Sequence, residues 1–430
     1  MKKALAILFT GALMTTAQAA TPRVERRIDD GADRVEQSVI AARRDIHQNP
    51  ELGNREFRTA KLVADKLQSL GIETKTGVAH TGVVGILKGG KPGRVIALRA
   101  DMDALPVVEQ VDIPFASKVK TTYNGQEVGV MHACGHDAHV AILLGVAEVL
   151  ASIRDEIPGT VKFIFQPAEE GAPEGEEGGA ELMVKEGALE NPKVEAIFGL
   201  HVTSRFPVGM IAWRPGGMMA AVDSLKIVVR GKQTHGAYPW LGVDPIVVAS
   251  QIILGLQTIP SRQLDSTVAP SIVTIGKIQG GVRNNIIPDE VTMVGTLRSL
   301  DKTMRDQIHQ RVKRTAEQIA SSGGATATVT IETGYPITYN DPKLTEKMAP
   351  TLARVALESA VVNPVLGAED FSFYQTKVPG LFFFVGTRPK NQTAEQAASN
   401  HSPLFYVDES GLKLGVRALA NVAMDYLGAK

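Results

Sequence analysis

Apolar and polar positions alternate in two different ways along this chain. From Gly93 onward, short β-branched or apolar runs are separated by helical patterns such as VAILLGVAEVLASI (140–153). The runs are RVIALRA (94–100), VKFIFQ (161–166), EAIFGLHV (195–202) and GLFFFVG (380–386). Strands apolar at consecutive positions are covered on both faces, so the pattern predicts an α/β fold with a mostly parallel sheet between helices. From about Trp213 to Thr333 the order differs. SLKIVVRG reads as a strand, DPIVVASQIILGLQTI (244–259) as a helix, and APSIVTIGKIQG and DEVTMVGTLRS as two strands. The helix DKTMRDQIHQRVKRTAEQIA (301–320) and the strand ATVTIETG follow. That β-α-β-β-α-β order predicts a ferredoxin-like α+β unit. The expected organisation is a discontinuous main domain, 20–212 with 334–430, interrupted by an inserted domain at 213–333. A length of 430 residues suits two cores, since single cores stop growing near ~250–300 residues. The acidic, glycine-rich GAPEGEEGG (171–179) reads as a loop.

The first twenty residues follow neither pattern. Lys2 and Lys3 precede an apolar run from Ala4 to Met14, too short to span a bilayer, and Ala17-Gln18-Ala19 resembles a cleavage site. Residues 1–19 are therefore expected to be a signal peptide, with the mature protein exported to the periplasm or beyond. Losing the two lysines leaves 44 basic against 46 acidic residues. That balance offers nothing to a nucleic acid or an anionic membrane. In an oxidising compartment the one cysteine, Cys134, can form no internal disulfide. Its thiol needs burial, a partner chain or a bound ligand.

Cys134 lies in MHACGHDAHV (131–140) with His132, His136 and His139. Cys134 and His136 are two apart and cannot share a helix face, but Gly135 permits a turn that aims both at one point. Asp137 is expected to cap a helix beginning near Ala138, with His139 a turn deeper. Thiolate and imidazole suit Zn²⁺ or a similar ion. Taken alone, the motif is more readily a buried cysteine beside a helix start. The ends of the predicted strands change that balance. They deliver Asp101 and Asp103, then Pro167-Ala168-Glu169-Glu170-Gly171, then His201, and finally a loop with Asn400 and His401. Ligands of open α/β sheets bind beyond the carboxyl ends of the strands. Metal-assisted hydrolysis needs one carboxylate as ligand and another as base, which neighbouring Glu169 and Glu170 can supply.

With these residues assembled, the chain resembles the metallopeptidase family of hippurate hydrolase, plant auxin–amino-acid conjugate hydrolases, aminoacylases and bacterial carboxypeptidases. The resemblance runs from RRDIHQNPELGNREF through ALRADMDALPV, MHACGHDAH, FQPAEEG, GLHV, GKQTHGAYP, GGVRNNIIPD and LGAEDFSFY to NHSPLFYVDE. It implies a zinc-peptidase-like catalytic domain with a lid and dimerisation insert. It also implies two divalent ions (Zn²⁺, Mn²⁺, Co²⁺ or Ni²⁺) held by Cys134, His136, Glu170, His201 and His401, with Cys134 bridging. Glu169 matches the general acid/base and Asp103 the aspartate beside the metals. Asp101 stands where some relatives carry a ligating histidine, a role His136 takes over. His235 and Asn285 match residues that reach the substrate, commonly across a dimer interface; Arg283, which the resemblance does not single out, is a weaker candidate. Ala138 and Trp240 replace a more usual Gly and His and are expected to tune the pocket.

His47, Met218-Met219 and Glu369-Asp370 are expected to pack or support. The expected protein is an exported, homodimeric, metal-dependent amidohydrolase acting on N-acyl amino acids or small peptides. One rival is a thiol hydrolase using Cys134 with a histidine. Another is a non-catalytic binding protein of the same fold, which should have lost one of the key side chains; all are present.

Overall fold

Four parallel strands carry the apolar runs and stand side by side at the centre of the main sheet. In spatial order they are Pro158–Gln166, Lys91–Asp101, Ala196–Pro207 and Gly380–Arg388. Among residues 22–429, which the computed structural model describes, this sheet has eight strands. An antiparallel hairpin, Glu73–Val78 with Gly82–Lys88, flanks one side. Met210–Trp213, antiparallel to Gly380–Arg388, and Glu358–Val361 flank the other. The signal-peptide segment, residues 1–19, lies outside the described residues.

Successive side chains of the central strands enter different cores, the period-two consequence of a sheet covered on both faces. Leu98, Phe163, Phe165, Phe198 and Phe383 pack under the helices Pro22–Gln48, His136–Ser152 and Leu412–Gly428. Ala97, Ile164, Ile197 and Phe382 face the opposite core with Phe371 and Tyr374. Helix His136–Ser152 is buried almost all round, so its sequence is apolar rather than amphipathic.

The second sheet has the order Ser271–Gly280, Glu290–Ser299, Ala221–Arg230, Thr326–Thr333, antiparallel throughout. This is the ferredoxin-like arrangement. Leu225, Ile227 and Val229 alternate inward onto the helices Pro245–Thr258 and Lys302–Ser322, making a separate core. Asp244 and Asp301 cap those helices, their carboxylates accepting from Ile246 and Val247 and from Met304. The four-stranded unit occupies 221–333. Gly216–Met219 instead pairs with Thr338–Asn340 in a two-stranded ribbon at the crossing between the units.

Candidate metal centre

Gly135 sets the geometry of the Cys134 loop. Its φ is 101°, and a Cβ there would meet Val202 Cγ2 at 2.4 Å, so only glycine permits this turn. The following helix starts at His136 rather than near Ala138. Asp137 does not cap it. Its carboxylate instead accepts from Arg43 Nε at 2.7 Å and lies 2.9 Å from His47 Nδ1, because buried cationic partners outbid the backbone. His47, bridging Asp137 and Glu109, is structural as expected of it.

His136 and His201 are each turned by a bond to the far ring nitrogen. His136 Nδ1 lies 2.8 Å from the Asp103 carbonyl oxygen and 3.2 Å from its carboxylate. His136 Nε2 is consequently left buried with no hydrogen-bond partner. His201, which lies within its strand rather than at its end, donates Nδ1–H to the Val202 carbonyl at 2.6 Å and presents Nε2 to Cys134 Sγ at 3.3 Å. His401, held at φ 71° with its amide on the Ala133 carbonyl, brings Nε2 within 3.3 Å of Cys134 Sγ. It also lies 3.0 Å from Glu170 Oε1, an oxygen that has no aligned donor. Orienting bonds of this kind are what metal-ligating histidines require.

Of the donor triads that result, two meet at Cys134. Atoms of Cys134, His136 and His201 lie within 4.8 Å of one another, as do atoms of Cys134, Glu170 and His401. Cys134 Sγ belongs to both, so the donor set fits two cations sharing one thiolate. The charge balance agrees. Burial opposes charge on His136, yet Asp101 and the Cys134 thiol hold its proton affinity well above the usual histidine range. Cys134 and Glu170 push His401 up to about 10. Negative charge that would otherwise bind protons is available to cations. Burial pushes the Cys134 thiol up, the reverse of an activated nucleophile.

His139 is a support. Its Nδ1 lies 2.5 Å from Asp101 Oδ1, and its Nε2 accepts the Val202 amide at 2.8 Å. Asp101 is further tied to Arg99 at 2.6 Å, and Arg99, wholly buried, also holds Glu369 and Asp370 at 3.0 and 2.7 Å. Burial keeps His132 neutral, lowering it to about 3.

Beyond the strand Pro158–Gln166, Ala168 sits at φ 51° with its amide on Glu56 Oε1. This left-handed residue turns Glu169 toward the centre, its Oε2 4.0 Å from His136 Nε2. Burial, then Glu369, Glu170 and Asp370, raise the Glu169 carboxyl well above its ordinary range.

A cavity of about 390 Å³ opens on Cys134, Glu169, Glu170, His201 and His401. Its far wall includes Arg298 from the inserted sheet and Tyr335, whose hydroxyl donates to the Glu169 carbonyl at 2.7 Å. Neither was distinguishable by sequence pattern, because an arginine on a strand and a tyrosine in a connection carry no local signature of facing a distant site. Met219 and Glu369 also line the cavity; both methionines belong to the core, and Met218 does not reach the cavity. Ala138 is buried in the main core, and Trp240 is 74% exposed; neither lines this cavity, contrary to expectation. His235 pairs with Ile286 on the ribbon Thr234–His235/Ile286–Ile287, the adjoining Asn285 carbonyl accepts the Gly236 amide at 2.8 Å, and neither residue lines this chain's own cavity.

The fold and the paired donor sets define a dinuclear metallohydrolase. Residues 97–425 match the model of Peptidase family M20/M25/M40, and the chain belongs to that family. It is 45% identical over 404 residues to Thermostable carboxypeptidase 2 of Saccharolobus solfataricus, covering 93% of this chain and 98% of that one. It is 40% identical over 387 residues to N-acetylcysteine deacetylase of Bacillus subtilis, covering 90% and 96%. A solved Bacillus subtilis structure described as a dinuclear metal binding peptidase from the M20 family aligns with TM-score 0.78 and 37% identity, covering 92% and 99%. The protein is therefore a metal-dependent peptidase or amidohydrolase with a small peptide or acyl-amino-acid substrate.

Proposed function

We propose that this enzyme, after export, hydrolyses the amide bond of N-acyl amino acids or small peptides, with Glu169 carrying the proton. In this reading Cys134, His136, Glu170, His201 and His401 hold the two ions. The observation that carries it is the sharing of Cys134 Sγ by two donor triads with Glu169 beside them. Bound divalent ions supply Lewis acidity toward the scissile carbonyl and lower the pKa of water. The chain's own residues do the rest. Glu169, raised by burial and without a close partner on Oε2, takes a proton from the attacking water and returns it to the leaving nitrogen. Arg298 donates to the Leu366 carbonyl at 2.8 Å and has no ion-pair partner among the described residues. It receives the substrate carboxylate.

His235 and Asn285 act, on this reading, in the cavity of a partner subunit. The strand Ser271–Gly280 forms an open edge, and Val247 and Leu254 are exposed on the adjoining helix, a surface suited to a homodimer. Export rests on the basic start, the apolar run and Ala17-Gln18-Ala19; a secreted form beginning after Ala19 is its direct check.

The test of the activity is a panel of N-acyl amino acids and dipeptides assayed with metal-loaded protein. Hydrolysis should stop on chelation and return with Zn²⁺, Mn²⁺, Co²⁺ or Ni²⁺. Full activity in metal-free protein that thiol alkylation abolishes assigns the reaction to Cys134 as nucleophile instead.

A further inference from the structure

The cavity beside the metal centre carries a second guanidinium that the proposed reaction does not use. Arg205 stands four positions beyond His201 on the strand Ala196–Pro207 and lines the same cavity as Arg298. Rings tie it to the centre. The Arg205 guanidinium lies 5.9 Å from the Phe206 centroid, Phe206 lies 6.4 Å from Phe384, and Phe384 lies 6.2 Å from His201. Cation–π contact restrains the side chain without consuming its donors. The Thr203 hydroxyl accepts the Arg205 amide at 3.2 Å and tightens the backbone at that point.

No carboxylate among the described residues answers Arg205. Among the described residues it forms no ion pair, and neither does Arg298. Of the three acidic groups lining the cavity, Glu369 pairs with Arg99, Glu170 faces His401 and Glu169 is turned toward His136. Two unpaired guanidinium groups, one from each folded unit, thus share a cavity of about 390 Å³. One carboxylate satisfies one planar donor fork, leaving the other for a second anionic group.

We infer that the enzyme prefers substrates whose leaving amino acid is itself acidic, an N-acyl glutamate or aspartate or a peptide ending in one. Arg298 takes the α-carboxylate and Arg205 the side-chain carboxylate. The inference rests on the proposed function and deepens it. Glutamine is the controlling comparison, because it keeps the shape of glutamate and removes only the charge.

The metal-loaded full chain is assayed on N-acetyl-glutamate, N-acetyl-glutamine, N-acetyl-leucine and N-acetyl-lysine. N-acetyl-glutamate should exceed N-acetyl-glutamine at least tenfold in kcat/KM. Arg205→Gln should collapse that ratio, chiefly through KM, and Arg205→Glu should shift preference toward N-acetyl-lysine. Calorimetry with free glutamate and glutamine, read independently of turnover, should give the same order in the wild type and lose it in Arg205→Gln. Equal wild-type values for the glutamate and glutamine substrates, or a preference that survives Arg205→Gln, overturns the inference while leaving the parent reading intact. Hydrolysis of none of the four overturns the inference, and overturns the proposed function as well if no dipeptide or other N-acyl amino acid of the panel is cleaved.

Discussion

Asp103 and Glu170 are joined by a short bond: Asp103 Oδ2 accepts the Glu170 amide at 2.9 Å, while Oδ1 lies 3.2 Å from His136 Nδ1. One buried carboxylate thereby orients two proposed ligands that arrive from different elements. Asp103→Asn keeps the shape but faces one of those N–H groups with a donor. The expected result is a ~10–100-fold loss of metal affinity, the usual cost of removing such a support, read by competition with a chelator. Unchanged affinity would reduce Asp103 to a packing residue.

The adjacent glutamates should separate cleanly. Glu169→Gln should retain both ions and lose ~10²–10⁴-fold in kcat, because the proton carrier is gone while the donor triads are intact. Glu170→Gln should lose metal first. Metal analysis beside turnover decides, and the opposite pattern would exchange the two roles.

Metal removal should also be visible without substrate. The donors converge from parts of the chain as distant as Cys134 and His401, so ions bound there favour the folded state alone. A free metal concentration 100 times Kd should stabilise by ~2.7 kcal/mol per site. Calorimetric melting of chelated and reloaded protein measures it. Identical transitions at saturating metal would mean that no such ions are bound by the folded chain.

His235 lies on an exposed ribbon rather than at its own chain's cavity. His235→Ala should lower kcat/KM at least ~10-fold, about 1.4 kcal/mol, without metal loss. Mixing that impaired variant with inactive Glu169→Gln should raise the activity above that of either alone through hybrid dimers. Verified hybrids that stay inactive would show that each subunit completes its own site.

The inserted unit offers a pH test far from the metals. Asp223 binds Arg305, lies 2.6 Å from His309 Nε2, and accepts the Gly334 amide at 3.0 Å. Burial pushes its carboxyl up, but the bonds from Arg305 and His309 outweigh burial and hold it below the usual carboxylate range. A carboxyl whose proton affinity falls on folding contributes stability that is present above its unfolded pKa and lost as pH falls through the folded one. The urea-unfolding advantage of wild type over Asp223→Asn should therefore be present above about pH 5 and shrink in more acid solution. An advantage that grew toward low pH would reject this account.

Much of the architecture follows from sequence alone, for a local reason. Runs such as VKFIFQ are apolar on both faces because helices cover both faces, and Asp244 and Asp301 mark helix starts because their carboxylates cap nearby amides. The order of elements matches that of the second, four-stranded sheet, and the predicted strand ends carry most of the proposed donors. What tertiary structure alone decided is which buried groups meet. Asp137 has the sequence of a cap, yet Arg43 and His47 from the first helix claim it. Arg99 joins Asp370 across 271 positions. Arg298 and Arg205 come from separate units to one cavity, while Ala138 and Trp240 stay outside it. Periodicity records whether a side chain is buried; the direction of a lone pair or a charge depends on how distant elements pack, and no local pattern encodes that.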